Sequence, residues 1–497
     1  MTVVRQLRVL TPFRARSSSS LPSPGPSSTF RRARAQIRPV AVKAPAAAPT
    51  DDPGVTMGPA ARAASTSTAV ASRLRSIGRK YAADRTGAWR VLQQPAFRAY
   101  FIGCTISNLG TWLQNTAQLI LAYRLTHSVL AVALITSAQF SGFLTIGPWA
   151  GSLGARLGRR NVLIGAQLLS FVITGILACV EFTGRLTELE LFFGALGTGL
   201  ALTFALPIQT AMVSGLVQEK DRKAALALNS VSYNAGRTLA PLLYLAVLAS
   251  IGTAWAFALN SISFLAFALI VIGLYPRATI GQQARVRHRD VFGFALQRPR
   301  IALLLLMVAA VTFADDPVLV LGPSLAQKLG VPSFWPAYFL AALGIGTVVG
   351  AMFPTRPAKT RRAAVPLAIL AIAVVVFALG VDRWVSLAAA VVAGIAGLLT
   401  GAASQALLLK MATPQHAVQV MALWGVAWAG TKPIASLADG LIASHLGIQT
   451  AAVILALPAV LVAAPEICLS KRRKIQLKNF MAHRNGTRRQ EPQESAA

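Results

Sequence analysis

Long apolar segments separated by short polar breaks recur along the chain from residue 98 to residue 469. Each segment is long enough for a tilted helix across a hydrocarbon core of about 30 Å. The pattern predicts an all-α integral membrane protein with twelve transmembrane helices. The predicted spans are 98–122, 128–154, 161–182, 188–214, 225–250, 253–275, 301–326, 334–355, 363–381, 384–410, 416–443 and 447–469.

The amino-acid composition agrees with this pattern. Apolar residues make up 55% of the 497 residues and charged residues 13%, whereas an average soluble protein has about 25% charged residues. A soluble fold of this length would need more charge to cover its surface. The composition therefore argues against a cytosolic enzyme.

The formal net charge of +32 by itself would suit a nucleic-acid-binding protein, but the positions of the basic residues along the chain do not. Of the 48 Lys and Arg residues, 17 precede residue 99 and 8 follow residue 470, and most others lie in breaks between spans. No zinc-finger or helix-turn-helix signature accompanies them. The expected partner of this charge is anionic inner-leaflet lipid, and no nucleic acid is expected.

The polar breaks alternate in charge along the chain. One set holds 17 basic residues, and the other set holds four, namely Arg124, Arg185, Lys328 and Arg383. Basic loops of membrane proteins stay on the cytoplasmic side. The alternation therefore predicts that both termini are cytoplasmic, in agreement with an even number of spans.

The first 90 residues differ from the rest of the chain. Residues 1–50 contain eight Arg, one Lys and seven Ser, and Asp51 is the first carboxylate. Such a segment cannot bury a core, and we interpret it as a disordered basic leader. Its composition matches an organellar transit peptide, but we favour the interpretation that translation begins at Met57 and that the assigned start lies too far upstream. The expected location is the plasma (inner) membrane, or an organellar membrane if the leader is a transit peptide.

A weak internal repeat divides the spans into two halves. The sequence LQQPAFR at 92–98 precedes the first span, and LQRPRI at 296–301 precedes the seventh, 204 residues later. Two six-span halves related by a parallel repeat are a known transporter architecture. The predicted domains are a disordered leader (1–90), an N-terminal six-helix bundle (91–275), a cytoplasmic linker (276–300), a C-terminal six-helix bundle (301–470) and a basic cytoplasmic tail (471–497).

Three sequence segments resemble a known family. GSLGARLGRR at 151–160 resembles the loop motif between spans two and three of the major facilitator superfamily. SNLGTW at 107–112 and ALNSVSYNAGR at 227–237 resemble the branch that contains enterobactin exporters and transmembrane secretion effectors. The resemblance covers about residues 90–470 and implies the major facilitator fold and secondary active transport.

The resemblance also implies a cytoplasmic gate in the loop at 151–160. Where the family usually has an acidic residue, this chain has Ala155, so the loop arginines are expected to meet phosphates or helix C-termini instead. In span five, the glycine-rich antiporter pattern of the family appears as APLL at 240–243, which weakens a prediction of strict antiport. The predicted gate residues are Gly151, Arg156, Gly158, Arg159 and Arg160.

Charged residues inside the predicted spans are candidates for function, because an ionised side chain near a helix centre costs roughly 2.5–3.5 kcal/mol to insert. Arg237, Asp315 and Lys432 lie 14 to 16 residues from the basic ends of their spans and are therefore expected at similar depth. Asp315 and Asp316 point in directions about 100° apart on a helix. We expect one of them to pair with Lys432 and the other to face water and take up a proton. The predicted substrate and proton-coupling residues are Arg237, Asp315, Asp316 and Lys432.

Two further expectations concern the same region. Pro317 follows the two aspartates and Gly322-Pro323 comes soon after, so span seven is expected to be broken there. Asp439 shares a face of span eleven with Lys432 but is interpreted as lying nearer the membrane interface.

Uncharged polar residues are dense in the first five spans. The default role of such residues is hydrogen bonding between helices. We predict that some of them instead line a cavity that binds a bulky polar substrate. The predicted cavity-lining residues are Asn108, Gln114, Gln139 and Asn234.

The sequence as a whole favours a proton-coupled secondary exporter of a siderophore, drug or secondary metabolite that works by alternating access. The alternative is an importer or a lipid-translocating member of the same fold. The five His residues are far apart, and no HExxH motif or phosphate-binding loop is present. We therefore expect no enzyme activity, no catalytic residues, no cofactor and no metal. The expected partners are a small organic substrate, protons and membrane lipid, and the chain is expected to be a monomer.

Overall fold

The computed structural model describes residues 87–147, 149–150, 156–274, 293, 297–353, 360–412 and 417–487. Every regular element within these ranges is a helix. Most of the predicted leader and of the predicted linker lies outside the described residues, and so does the last part of the tail.

The first half of the chain forms helices that begin at local signals in the sequence. Pro95 lies in the first turn of α1, where its missing N–H is not needed. The Ser128 hydroxyl caps α2, and Thr187 and Glu190 form a capping box at the start of α4. The helices are α1 (Pro95–Thr126), α2 (Val129–Thr145), α3 (Arg159–Phe182), α4 (Glu188–Leu216), α5 (Arg222–Ser250) and α6 (Ala254–Leu274).

The second half repeats this pattern with two irregularities. The short helix Gly322–Lys328 follows α7, and α11 has two parts, Ala417–Gly425 and Lys432–Leu446, joined by the π-helical turn Val426–Gly430. The helices are α7 (Pro299–Val320), α8 (Trp335–Ala351), α9 (Arg361–Leu379), α10 (Arg383–Met411), α11 (Ala417–Leu446) and α12 (Ile448–Thr487).

Each predicted span coincides with a helix. Among the described residues, seven helices are long and apolar enough to cross a membrane, and Val129–Thr145 and Trp335–Ala351 are shorter apolar helices. These findings agree with a multi-pass membrane protein. The number of crossings and the side on which the termini lie stay predictions.

The expected break in span seven lies after the aspartates and not at Pro317, because α7 continues through both aspartates and this proline and ends at Val320, before the short helix Gly322–Lys328. The last apolar span, Ile448–Cys468, agrees with the predicted span 447–469, and α12 continues beyond this span to Thr487. A proline lacks a donor but does not end a helix that packing against neighbours supports.

The helices of each half pack mainly on one another. In the first half, α1 packs on α5 and α6, and α3 packs on α4 and α6; in the second half, α10 packs on α8 and α9, and α12 packs on α7 and α9. The two halves meet through α2 against α11 and through α5 against α8. These two contacts border the region where the candidate site lies.

Glycines allow close approach at both contacts between the halves. A Cβ atom on Gly344 of α8 would lie 2.6 Å from the Cα atom of Thr238 in α5, which is too close. A Cβ atom on Gly440 of α11 would overlap the Cβ atom of Ala133 in α2. Small residues at such crossings let two helix backbones pack directly.

Candidate transport site

An ion pair joins the two halves near the middle of the molecule. The Arg237 side chain on α5 donates from Nη2 to Asp315 Oδ2 on α7 at 3.2 Å, and both side chains are largely buried, 17% and 13% exposed. The contact bears out the prediction that these two residues lie at similar depth. It also differs from the expected arrangement, because Asp315 pairs with Arg237 and does not lie open to water.

Aromatic rings surround this ion pair. The Arg237 guanidinium lies over the Trp112 ring, with Cζ 5.8 Å from its centroid. Tyr233 makes edge contacts with Trp112 of α1 and with Trp428 in the π-helical turn of α11, at centroid distances of 5.8 and 6.1 Å. The rings therefore extend from one half to the other beside the charge pair.

A cavity lies at this junction, and its empty space, counted together with the open solvent at its mouth, is about 530 Å³. Its wall in the first half carries amide and aromatic side chains together with the Arg237 cation, and its wall in the second half is apolar. Gln118 Oε1 lies at this cavity, is buried, and has no hydrogen-bond partner among the described residues. The lining includes Trp112, Asn115, Gln118, Gln139, Phe140 and Arg237, and Leu319, Leu340 and Leu343 on the other side.

A second buried cluster of charges lies within the second half. Lys432 Nζ on α11 donates to Asp316 Oδ1 on α7 at 3.0 Å, and the Ser436 hydroxyl donates to the same oxygen at 3.0 Å. Lys432 also lies over the Phe140 ring of α2, with Nζ 5.5 Å from its centroid. The prediction that one of the two aspartates pairs with Lys432 is confirmed for Asp316.

Asp439 belongs to this cluster and is enclosed by protein, and its expected position nearer the membrane interface stays a prediction. The residue is completely buried, and neither carboxylate oxygen has a hydrogen-bond partner among the described residues. Asp316 Oδ2 is unpartnered in the same way. The sequence places Asp439 two helical turns after Lys432. It does not specify which helices pack against α11 around Asp439, so the burial of this residue could not be predicted.

The four predicted cavity-lining residues have different surroundings. Gln139 lines the cavity and donates from Nε2 to Asn115 Oδ1 at 2.7 Å. Gln114 lines a separate pocket inside the first half, where it accepts from Asn260 at 2.5 Å. Asn108 donates to Ser232 at 3.0 Å, and Asn234 donates to the Ser230 carbonyl of its own helix at 2.8 Å. Asn108 and Asn234 thus serve contacts within the first half, and Asn115 and Gln118 line the cavity in their place.

The predicted gate loop is described only in part. Gly151 and Ala155 lie outside the described residues, Arg156 is exposed, and Gly158 takes a positive φ of 88° just before α3. Arg160 Nη2 donates at 3.0 Å to the carbonyl of Ile272, in the last turn of α6. This contact bears out the expectation that a loop arginine meets a helix C-terminus.

One ion pair, between the buried Asp221 and the exposed Arg90, was missed by the sequence reasoning. Asp221 is 1% exposed and accepts from Arg90 Nε at 2.9 Å and from Gln94 Nε2 at 3.2 Å. The pair ties the segment before α1 to the start of α5. Asp221 is one of two acids in a basic break, with Glu219, and these acids are the signal that could have pointed to it.

The chain is similar to known transporters over most of its length. The family model described as transmembrane secretion effector matches residues 86–492. The enterobactin exporter EntS of Salmonella choleraesuis (strain SC-B67) is 26% identical over 266 residues, 52% of this chain and 63% of that protein. The EntS protein of Shigella flexneri is 25% identical over 275 residues, 54% of this chain and 64% of that protein. The match thus covers less than two thirds of the curated relatives.

Solved structures share the fold at lower identity. A bacterial homolog of the human lysosomal transporter Spinster has a TM-score of 0.59 at 15% identity, covering 76% of this chain and 98% of that chain. The POT family transporter PepTSo has a TM-score of 0.61 at 10% identity, covering 77% of this chain and 99% of that chain.

Proposed function

Because the chain belongs to the transmembrane secretion effector family of the major facilitator transporters, we propose that it is a proton-coupled exporter of a siderophore-like organic molecule that works by alternating access. It is a transporter of the enterobactin-exporter-like branch and not an enzyme. The proposed location is a bacterial inner membrane, since the curated relatives that the chain matches are bacterial.

The cavity between the two halves is the observation that carries the proposal. It combines a guanidinium, aromatic rings and amide groups, one of which has an acceptor without a partner. Such a wall suits a molecule with aromatic rings, hydroxyl donors and a negative charge, because each of these groups finds its complement there. The name of the EntS relatives, enterobactin exporter, supports a substrate of this kind.

The contacts between the halves support alternating access. Among the described residues, four hydrogen bonds cross between the halves: Tyr123 to Gln327, Ser137 to the Pro433 carbonyl, Arg237 to Asp315, and Thr238 to the Gly344 carbonyl. All four lie between the middle of the helices and the end opposite the basic breaks. The arrangement suits a conformation closed at that end, which rocking of the halves would open.

Transport in inverted membrane vesicles tests the proposal. A pH gradient is set up, and its collapse is followed with a pH-sensitive dye while catecholate and hydroxamate siderophores and amphipathic drugs are added one at a time. We expect collapse with at least one compound, and a loss of about tenfold in its apparent affinity in Arg237→Gln, the equivalent of about 1.4 kcal/mol.

Arg383→Gln is the matched control. Arg383 also lies over a tryptophan, with Cζ 5.7 Å from the Trp335 ring centroid, but it is not among the cavity-lining residues. The control is expected to transport like the wild type. Uptake of the same compounds into right-side-out vesicles would show an importer, and movement of labelled lipid between leaflets would show a lipid translocator; either result would contradict export.

A further inference from the structure

The buried cluster of Asp316, Lys432 and Asp439 has an unequal number of charges. It holds two carboxyl groups and one ammonium group, and three carboxylate oxygens have no hydrogen-bond partner among the described residues. The Lys432 ammonium donates to Asp316, which also accepts from Ser436. An ionised carboxylate on Asp439 would therefore be buried without a donor from this part of the chain, and burial of an unpaired charge is very costly.

On the described parts of the helices that pack around Asp439, no other charged side chain is placed to offset this imbalance. Asp439 lies on α11, which packs on α2, α7 and α12. Helix α2 contains no titratable residue, and neither does α12 from Ile448 to Pro465. Helix α7 contributes Asp315, which is held by Arg237, and Asp316. On α11 itself the remaining titratable residue of this part is His445, which is exposed near the end of the helix.

We propose that Asp439 binds the coupling proton, and that Lys432 alternates between Asp316 and Asp439. When Lys432 pairs with Asp316, as in this structure, the carboxyl of Asp439 carries the proton. When Asp439 releases that proton to water, its carboxylate attracts Lys432 away from Asp316, and the cluster then carries one net negative charge. Rebinding of a proton by Asp439 returns Lys432 to Asp316, so one proton is released and one is taken up in each cycle.

The geometry provides a reason for this exchange to be linked to movement. Lys432 and Asp439 are seven residues apart on one face of α11, about 10 Å along the axis. Ser436 lies between them on that face and already binds Asp316. Lys432 also touches Phe140 of α2, in the other half of the molecule. A change of its partner therefore alters a contact between the halves, through α2 and α11, and this coupling role rests on the proposed export function.

Infrared spectroscopy of the reconstituted full-length protein tests proton binding without any substrate. A protonated carboxyl that lacks hydrogen-bond donors absorbs at the high-frequency edge of the carbonyl region. We expect such a band to titrate with pH in the wild type, to be lost in Asp439→Asn, and to be kept in Asp382→Asn. Asp382 is the matched control, because it is an aspartate that caps α10 at the surface, and asparagine also caps helices.

Three results would overturn the proposal. The band persists in Asp439→Asn; or Na⁺ at constant pH abolishes it, which would make the cluster a sodium site; or Asp439→Asn still accumulates substrate against its gradient when driven by pH. We expect this variant to exchange substrate across the membrane while uphill transport is lost. Asp439→Ser, which is smaller and also uncharged, serves in the same assays if the asparagine variant does not fold.

The two proposals fail separately. If the wild type transports none of the compounds offered, the proposed export function fails while the infrared experiment still decides whether Asp439 binds a proton. If the wild type exports a compound and the band is independent of Asp439, export stands and the assignment of the proton to Asp439 is wrong.

Discussion

Arg237 of the first half, which lines the candidate transport cavity, and Asp315 of the second half form an ion pair, with 3.2 Å between Nη2 and Oδ2. The residues are 78 positions apart in the chain. Their contact means that the positive charge available to an anionic substrate is already shared with a protein carboxylate. Substrate binding and the closure of the two halves therefore depend on the same guanidinium.

The strength of this pair is measurable by a double-mutant cycle. Arg237→Gln and Asp315→Asn each leave one charge without its partner, whereas the double variant removes both charges. We expect a coupling free energy of about 0.5–3 kcal/mol, which is the range for residues in direct contact. Chemical unfolding in detergent gives the free energy of unfolding of the wild type, the two single variants and the double variant. Additive single effects would show that the pair does not form in the membrane protein.

Removal of Lys432 should be more damaging than removal of a surface lysine. Lys432→Met leaves Asp316 buried with Ser436 as its remaining donor, and loss of one partner of a buried pair costs about 3–5 kcal/mol. Adding Asp316→Asn to this variant should recover most of the loss.

Lys328→Met is the comparison for Lys432→Met. Lys328 is exposed and donates to the Leu379 carbonyl at 3.1 Å, so its replacement should change stability by about 0.5 kcal/mol or less. Equal destabilisation by the two lysine variants would contradict the buried pair. Thermal unfolding at one pH and one detergent concentration is the measurement.

The hydrogen bond from Tyr123 to Gln327 should hold the halves together at the end opposite the basic breaks. Tyr123→Phe removes the hydroxyl and should shift the equilibrium towards opening there by about 0.5–1.5 kcal/mol, the net contribution of one hydrogen bond. Distances between spin labels on α1 and the short helix Gly322–Lys328 report the opening. Tyr338→Phe, on a half-exposed tyrosine in α8, should leave the distances unchanged.

The crossing of α2 and α11 should be sensitive to a single methyl group. Gly440→Ala places a Cβ atom against Ala133 and should weaken the contact, with a cost of about 1–3 kcal/mol for overpacking. Gly165→Ala is the control, because Gly165 of α3 has open space where the new Cβ atom would lie. Unfolding midpoints that fall equally in both variants would contradict the close approach and indicate a general effect of the substitution.

Asp221 should stabilise the first half of the molecule without taking part in substrate binding, because it does not line the transport cavity. Asp221→Asn removes the negative charge that pairs with Arg90 and one of the two acceptor oxygens, and it should destabilise the protein by about 1–3 kcal/mol without changing substrate affinity. Glu219→Gln, two residues earlier, affects a side chain that is 90% exposed and should have little effect. Unfolding free energy and transport affinity, measured in parallel, separate a structural role from a transport role.

Part of the candidate site could be predicted because the depth of a residue is a local property. Counting residues from the basic end of each span placed Arg237, Asp315 and Lys432 at one level, and the contacts of the first two bear this out. The same reasoning could not separate Asn108, which binds Ser232 inside the first half, from Gln139, which lines the cavity. Both are amides on apolar helices, and their difference depends on how each helix is rotated.

The sequence by itself determined that this chain is a helical membrane protein of one transporter family, because hydropathy, helix signals and loop motifs are read within short stretches of chain. Only the tertiary structure decided that Asp315 pairs with Arg237, that Asp316 pairs with Lys432, and that Asp439 is buried without a partner. The physical reason is that ion pairing and burial depend on which helix faces meet across long sequence separations. No local pattern specifies those rotations, and packing of the whole molecule fixes them.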